Sequence, residues 1–210
     1  MGQTPTIDFI SDVICPWCFI GLHRLEAALA EEGLKDATIA FHPFQLDPET
    51  PPEGADLRER LAAKFGGDPA TMFARVEGAA RESGIPLDFA KVRRTPNTLK
   101  AHTLIGRALE KGTQQRLGRA LFEAYFLEGK DIGVDAVLAD IAAANGFERA
   151  ETEALLADRS ALDDTRAEAA AVSQQGIRGV PFTIFGGKLA VSGAQPTDVF
   201  RDVIRRATSG

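Results

Sequence analysis

Several residue types that mark particular classes of protein are scarce in this chain. Its 210 residues include two cysteines, one tryptophan, one tyrosine and three histidines. Two cysteines are too few to staple a disulfide-rich secreted domain, so the fold must rest on a hydrophobic core. The 44% of hydrophobic residues and 26% of charged residues are sufficient for such a core and for a charged surface.

Positive charge and long apolar runs are also lacking. The 30 acidic residues outnumber the 24 lysines and arginines, which gives a net charge of -6. Nucleic acids and anionic membranes are bound through clustered basic residues, and the pairs Arg93-Arg94 and Arg205-Arg206 are too short to form such a patch. The sequence contains no run of about 20 apolar residues that could span a bilayer. We therefore expect neither a nucleic acid nor a membrane as a partner.

The residues that follow Met1 do not have the pattern of a secretory leader. A basic segment, an apolar segment and a cleavage site of small residues are all missing before the first strand pattern. We therefore expect a cytoplasmic protein. In a reducing cytosol, two cysteines are more often catalytic, metal-binding or redox-sensing than structural.

The spacing of apolar residues predicts strands near both ends of the chain and helices between them. Residues 6–10 and 37–46 show strand patterns on either side of a helix pattern at 16–32. Near the other end, two strands flank the hairpin signature Gly186-Gly187 and a helix follows them. These later strands cover residues 182–185 and 188–192, the last helix covers 197–206, and the helices predicted between the two ends cover 56–65, 69–83, 97–111, 113–127, 134–145, 149–157 and 161–175.

The order of these elements predicts an α/β fold. It reads β-α-β, then a helical block, then β-β-α. The two strand-bearing ends, residues 1–50 and 176–210, would form one discontinuous domain. Residues 51–175 would form an all-helical insertion in that domain.

The two cysteines fall in the motif Cys15-Pro16-Trp17-Cys18, where the first strand pattern changes into a helix pattern. Proline suits the first position of a helix, so Cys15 is expected at the N-cap and Cys18 one turn further along the same face. A thiolate at a helix N-terminus faces free backbone N–H groups and the positive end of the helix dipole, which lowers its pKa. This arrangement favours Cys15 as an exposed nucleophile and Cys18 as a shielded resolving thiol.

Two other interpretations of the motif compete with redox chemistry. A zinc site needs four ligands, and His23, His42 and His102 show no spacing typical of one. Two buried, inert cysteines would not explain a proline-started helix at the end of a strand. We therefore expect no metal.

Several motifs together resemble the DsbA-like thiol-disulfide oxidoreductases. They are the Cys-Pro-Trp-Cys motif, Gly179-Val180-Pro181-Phe182 before the late hairpin, Ser192-Gly193-Ala194-Gln195 after it, and the helical insertion. The sequence is most similar to the FrnE-like branch, which is related to 2-hydroxychromene-2-carboxylate isomerases and kappa-class glutathione transferases. The resemblance implies a thioredoxin fold for the discontinuous domain and a redox-active disulfide between Cys15 and Cys18.

The resemblance also implies a substrate groove. Pro181 would be cis and lie across from the two cysteines, with the Val180 backbone free to pair with an extended substrate. A proline that merely starts a strand is the alternative for Pro181. Pro16 and Trp17 would provide an apolar docking surface, although Trp17 could equally anchor the core. Further groove residues implied by the resemblance are Phe44, Asn97 and His102.

Two polar residues near the motif each fit two roles. Asp12, three residues before Cys15, could shuttle a proton to Cys18 or serve as a turn residue. His102 could act in acid-base chemistry, but a hydrogen-bonded structural histidine is favoured. Many thioredoxin-fold enzymes carry a buried acid six residues before the first cysteine, and here that residue is Phe9.

The resulting functional hypothesis is an enzyme that exchanges disulfides with a protein or a small thiol. One alternative is a glutathione-dependent isomerase or transferase acting on a small aromatic substrate, although those branches usually have serine at the position of Cys15. A second alternative is a holdase chaperone that binds peptides. No cofactor beyond the cysteine pair is expected, with glutathione as a candidate co-substrate, and both a monomer and a homodimer fit the sequence.

Overall fold

A computed structural model describes residues 6–209. Its four-stranded sheet has the order β2-β1-β5-β6. Strand β1 (Ile7–Ser11) is parallel to β2 (Ile39–Pro43) and antiparallel to β5 (Phe182–Phe185), which forms a hairpin with β6 (Leu189–Ser192). Helix α1 (Pro16–Glu31) connects the parallel pair, and α9 (Thr197–Thr208) follows the hairpin.

The segment between β2 and β5 contains a short ladder of β3 (Ala55–Asp56) and β4 (Arg94–Thr95) and a series of helices. These helices are α2 (Leu57–Phe65), α3 (Ala70–Glu82), α4 (Leu99–Glu110), α5 (Gln114–Phe126), α6 (Asp135–Ala143), α7 (Arg149–Ala157) and α8 (Arg159–Gln174).

The predicted fold class is confirmed, because the strands and helices occur in the expected order. The insertion is helical except for the β3–β4 ladder, which the sequence did not indicate because two-residue strands show no alternation of apolar residues. The domain boundaries at residues 50 and 175 remain a prediction. Residues 1–5 and residue 210, which belong to the predicted discontinuous domain, lie outside the described residues.

The sheet is covered by helices on both faces. Ile7 and Phe9 of β1 are buried in the main core with residues of α1, α5 and α9. Ile10, on the other face of β1, belongs to a smaller cluster with Val172 of α8. This alternation follows from the two-residue period of a strand.

The insertion packs directly against the helix that carries the cysteines. Phe19 of α1 stacks on Phe122 and Phe126 of α5, with ring centroids 5.6 and 5.9 Å apart. Arg24 of α1 donates through Nε to Ser83 Oγ at 2.8 Å, and through Nη1 to the Ala194 carbonyl at 2.8 Å. Aromatic packing and a half-buried guanidinium thus fix the orientation of α1 relative to both the insertion and the segment after β6.

Strand β2 is at an edge of the sheet, and a side chain of the insertion satisfies part of its backbone. Gln114 Oε1 accepts from the Phe41 amide at 3.0 Å, and Gln114 Nε2 donates to the Phe41 carbonyl at 3.3 Å. Both groups are buried, so these bonds replace water that an exposed edge would bind. Among the described residues, no helix is long and apolar enough to cross a membrane.

Candidate active site

The Cys-Pro-Trp-Cys motif occupies the first turn of α1. Cys15 is the N-cap, with φ -86° and ψ 111°, and Pro16 begins the helix. The Cys18 amide donates to the Cys15 carbonyl at 3.0 Å and contacts Cys15 Sγ at 3.4 Å. Both cysteines are free thiols. The two sulfur-bearing side chains therefore lie on the same face of the first turn.

Cys15 is much less exposed than the sequence suggested. Only 3% of Cys15 and none of Cys18 is exposed, so the prediction of an exposed Cys15 is wrong. The cause is twofold: the N-cap side chain folds back over the first helical turn, and the loop before β5 covers it. Cys15 Sγ lies 3.7 Å from the Val180 carbonyl oxygen of that loop. Burial, together with the neighbouring Cys15, raises the pKa of the Cys18 thiol well above its ordinary value.

The loop before β5 faces the cysteines as the resemblance implied. The Val180–Pro181 peptide bond is cis. The Pro181 carbonyl accepts from the Gly193 amide at 2.8 Å, and Pro181 packs on α1 where Gly21 leaves room for it. The loop is therefore held between α1 and the segment after β6, with the Val180 carbonyl directed at Cys15.

A cavity of about 290 Å³ borders the motif. Cys15, Pro16, Trp17 and Val180 contribute to its wall. The rest of the wall is largely apolar and comes from the insertion, including Leu57, Leu61, Phe65, Met72, Phe73, Val76 and Phe89. The sequence did not indicate that these residues of α2, α3 and the following loop face the cysteines. The only available signal was apolar residues on short helices, which is equally typical of core packing.

Phe65 and Met72 lie at the lip of this cavity. Their exposed fractions are 61% and 38%, high for large apolar side chains. The charged residues nearby are engaged: Arg60 forms a two-pronged ion pair with Asp47 at 2.7 and 2.8 Å, and Lys64 donates to the Leu46 carbonyl at 2.8 Å. The cavity therefore offers mainly an apolar surface to whatever approaches Cys15.

Of the further residues predicted to line this groove, Phe44, Asn97 and His102, none lines the cavity beside Cys15. Phe44 is buried with Ile10 and Val172 on the other face of the sheet, because the chain turns away from the motif after β2. Asn97 joins two loops: its Nδ2 donates to the Thr50 carbonyl at 2.7 Å, and its Oδ1 accepts from the Leu99 amide at 3.0 Å. Neither side chain lines the cavity beside Cys15.

Asp12 and His102 meet beneath the motif. His102 Nε2 lies 3.2 Å from Asp12 Oδ1, and Asp12 Oδ2 accepts from the Leu46 amide at 2.8 Å. Asp12 is completely buried and His102 is 4% exposed. The Asp12 carbonyl also accepts from the Cys15 amide at 2.9 Å, so Asp12 shapes the turn that leads into α1. Burial, reinforced by the Asp12 charge, raises the pKa of the nearby Tyr125 hydroxyl.

Within residues 6–209, no group of three or more His, Cys, Asp or Glu side chains is arranged to hold a metal ion.

Comparison with known proteins agrees with this geometry. A family model described as the DSBA-like thioredoxin domain matches residues 6–205. The chain belongs to the DSBA-like thioredoxin family. Because the match covers almost the whole sequence, both the sheet and the helical insertion are part of the family's architecture, and thiol-disulfide oxidoreductases share it.

Individual proteins are similar to this DSBA-like protein over almost its whole length. The uncharacterized protein YwbO of Bacillus subtilis (strain 168) is 28% identical over 206 residues, which cover 96% of each chain. The structure of a probable DsbA oxidoreductase from Streptomyces coelicolor is similar over 97% of this chain and 89% of that chain, with a TM-score of 0.87 and 29% identity. A 2-hydroxychromene-2-carboxylate isomerase shares the fold over 96% of this chain and 95% of that chain, with a TM-score of 0.74 and 17% identity.

Proposed function

We propose that this DSBA-like protein exchanges disulfides with a thiol or disulfide substrate in the cytoplasm, using Cys15 and Cys18. The observation that carries the proposal is the position of Cys15. Its sulfur lies at the start of α1, 3.7 Å from the Val180 carbonyl, and on the wall of an apolar cavity. Capture of a disulfide requires a nucleophilic sulfur, an adjacent backbone segment and a concave apolar surface.

The exchange proceeds in two steps. The Cys15 thiolate attacks one sulfur of a substrate disulfide, which forms a mixed disulfide and releases the other substrate sulfur as a thiolate that takes up a proton. Cys18 then loses its proton and attacks Cys15, which closes the Cys15–Cys18 disulfide and releases the second substrate thiolate. The two electrons that reduce the substrate come from the two cysteines, so no metal or organic cofactor is needed. Run in reverse, the same steps oxidise a substrate dithiol.

The apolar walls of the site favour the binding of substrates that have an apolar group next to the sulfur. Trp17 is half-buried in the cavity wall, and the insertion supplies the facing wall. A protein disulfide flanked by apolar side chains would bury them there. Glutathione, as a small thiol, would serve as a co-substrate that restores the dithiol.

The cavity also supports a second candidate function. A volume of about 290 Å³ with an apolar wall would accommodate a small aromatic molecule, as a glutathione-dependent isomerase requires. In that reaction the Cys15 side chain would support a bound glutathione thiolate, and Cys18 would not be needed.

Serine variants of the two cysteines separate these candidates. We expect Cys15→Ser to abolish insulin reduction, because the nucleophile is lost. Cys18→Ser should instead accumulate a mixed disulfide on Cys15 that mass spectrometry detects, because no thiol remains to resolve it. Circular dichroism of each variant controls for folding. Undiminished insulin reduction by Cys15→Ser would refute the exchange reaction, and isomerase activity retained by Cys18→Ser would favour the second candidate.

A further inference from the structure

The charges around the cavity beside Cys15 differ in sign from the charge of the whole protein. The chain has a net charge of -6. Within the part of the chain that the structure describes, the charged side chains that line the cavity are Arg60, Lys64 and Asp47, so that positive residues outnumber negative ones in its wall. A charged substrate would therefore experience a different field at the cavity from that of the protein as a whole.

Hydrogen bonding neutralises one of the two basic side chains in the wall but not the other. Asp47 neutralises Arg60 through the two-pronged ion pair at 2.7 and 2.8 Å. Lys64 Nζ instead donates to the uncharged Leu46 carbonyl at 2.8 Å, and it forms no ion pair with any of the described residues. The Lys64 ammonium lies 5.7 Å from the centre of the Phe65 ring at the lip. Lys64 therefore keeps a full positive charge at the entrance of the cavity.

Arg75 of α3 provides another positive charge next to the motif. Its Cζ lies 5.8 Å from the centre of the Trp17 ring, a separation typical of a cation–π contact. Trp17 is part of the cavity wall, two residues after Cys15. Arg75 is exposed and has no acidic partner in the described part of the chain. With Arg75 included, positive charges near the cavity exceed negative ones even when Glu49, whose charge acts on Arg60 from outside the wall, is counted.

We propose that Lys64 and Arg75 select substrates in which a carboxylate lies close to the disulfide. The inference rests on the disulfide exchange proposed above and adds the chemical class of its substrate. The Cys15 thiolate attacks one substrate sulfur, which forms a mixed disulfide and releases the other sulfur as a thiolate. The apolar part of the substrate enters the cavity, and its carboxylate remains at the entrance with the two basic side chains. Lys64 and Arg75 thus determine specificity and take no part in breaking or forming bonds.

Three symmetrical disulfides of different charge test this selection. Dithionitrobenzoate carries two carboxylates, dithiodipyridine is uncharged near neutral pH, and cystamine carries two ammonium groups. In a Cys18→Ser background the reaction of each probe stops at the mixed disulfide with Cys15, which acid quenching and mass spectrometry measure over time. Each rate is divided by the rate with dithiodipyridine. A change in the reactivity of Cys15 itself affects all three probes and cancels in this ratio.

The charge of the probe should decide how each variant responds. We expect Arg75→Gln and Lys64→Gln each to lower the rate ratio of dithionitrobenzoate to dithiodipyridine by about two- to fivefold, the effect typical of one exposed ion pair. The double variant should lower this ratio by about tenfold, because effects at independent positions add as free energies. The ratio for cystamine should rise in the same variants, because a repulsive charge has been removed.

Two further variants separate the charge of Arg75 from its packing. Arg81→Gln is the matched control, because Arg81 is also an exposed arginine of α3. Arg81 lies about 9 Å further along the helix, a distance similar to the Debye length at physiological salt. This variant should leave all the rate ratios unchanged within about 1.5-fold. Arg75→Lys keeps the positive charge and should retain most of the wild-type preference for dithionitrobenzoate.

Added salt distinguishes the local charge from the net charge. The net charge of -6 repels dithionitrobenzoate, so screening of that charge would speed the reaction. Positive charge at the cavity attracts dithionitrobenzoate, so screening of this charge should slow the reaction. We expect the rate with dithionitrobenzoate to fall by about threefold between low salt and about 0.5 M sodium chloride, whereas the rate with dithiodipyridine should stay nearly constant.

Two pairs of disulfides show whether the carboxylate belongs to a small molecule or to a peptide. One pair is the disulfide dimer of N-acetylcysteine and that of its amide. The other pair is the disulfide dimer of an end-blocked Glu-Cys-Glu peptide and that of its Gln-Cys-Gln counterpart. A preference for the acidic member of a pair that is lost in the Lys64→Gln, Arg75→Gln double variant supports the proposal and identifies the source. No preference in either pair would overturn it.

The probe experiments can also overturn the proposal. They would do so if salt speeds the reaction of the wild type with dithionitrobenzoate, or if the double variant keeps the wild-type rate ratio. A loss as large in Arg75→Lys as in Arg75→Gln would show that packing on Trp17 is responsible rather than charge. A failure of the exchange reaction itself looks different, because Cys15→Ser would then reduce insulin as fast as the wild type, whatever the response to charge.

Discussion

Replacing helical glycines by alanine tests how tightly the active-site helix is packed. Three of the helical glycines among the described residues differ in their surroundings. A Cβ at Gly78 of α3 would meet nothing within 4 Å. A Cβ at Gly21 of α1 would lie 3.0 Å from Pro181 Cγ and 3.5 Å from Ala194, and one at Gly118 of α5 would lie 2.7 Å from the Phe41 ring.

The expected stabilities follow from two opposing effects. Alanine in a helix interior is more favourable than glycine by about 1 kcal/mol. Overpacking a buried site costs about 1–3 kcal/mol. Gly78→Ala should therefore raise the free energy of unfolding by about 0.5–1 kcal/mol. Gly21→Ala and Gly118→Ala should lower it by about 0–2 kcal/mol, with Gly118→Ala the more severe because its contact is closer and lies between α5 and the sheet.

Activity separates the two packed sites. At Gly21 the added methyl group pushes on Pro181, whose neighbour Val180 faces Cys15, so Gly21→Ala should also slow the reaction of Cys15 with dithionitrobenzoate. Gly118 lies away from the cysteines, and its variant should react at the wild-type rate at temperatures where it is folded. Urea unfolding and stopped-flow absorbance measure the two properties. A Gly21→Ala protein as stable and as reactive as Gly78→Ala would refute the packing argument.

Two further predictions concern charge and the cavity lip. The hydrogen bond that His42 donates to Glu168, with a further one that it donates to Asp8, raises the folded-state pKa of His42 against the opposing effect of burial. His42 therefore stabilises the fold below its unfolded pKa of about 6.5 and loses this contribution as pH rises through the folded pKa. His42→Gln should cost more stability near pH 5.5 than near pH 8 in urea titrations, and an equal cost at both would contradict this. At the lip, the double variant Phe65→Ser, Met72→Ser should change the free energy of unfolding by less than about 0.5 kcal/mol. It should slow the reduction of insulin more than the reduction of dithionitrobenzoate. Equal effects on the two substrates would argue against apolar docking at the lip.

The sequence predicted the regular elements well because glycine and proline separate them. Helix α7 (Arg149–Ala157) was predicted at its observed bounds, and α1 ends within one residue of the prediction. Pro16 at the helix start was indicated by the motif itself, whereas the position of the Val180–Pro181 loop opposite the cysteines was implied only by the family resemblance. The residues of a short motif such as the Pro-started helix determine its local conformation, so that conformation can be predicted from the sequence.

Features that depend on distant segments were harder to anticipate. Asp12 and His102 are 90 residues apart and meet only because α4 packs beneath the motif. The burial of Cys15 depends on a loop 165 residues away. Phe44 directly follows β2, yet its side chain packs with Ile10 on the face of the sheet away from the main core. Periodicity reports which face of an element is apolar, but not which other element covers it.

The hydrogen bonds between Gln114 and Phe41 determine what the sheet would lose if the helical segment were removed. Its amide supplies one donor and one acceptor to an edge strand, as a neighbouring strand would. A shortened chain that kept the sheet but omitted residues 51–175 would leave these backbone groups unpaired and open to pairing with another molecule. Such a truncation would be expected to self-associate through β2. The helical segment thus protects the sheet from aggregation as well as shaping the space around Cys15.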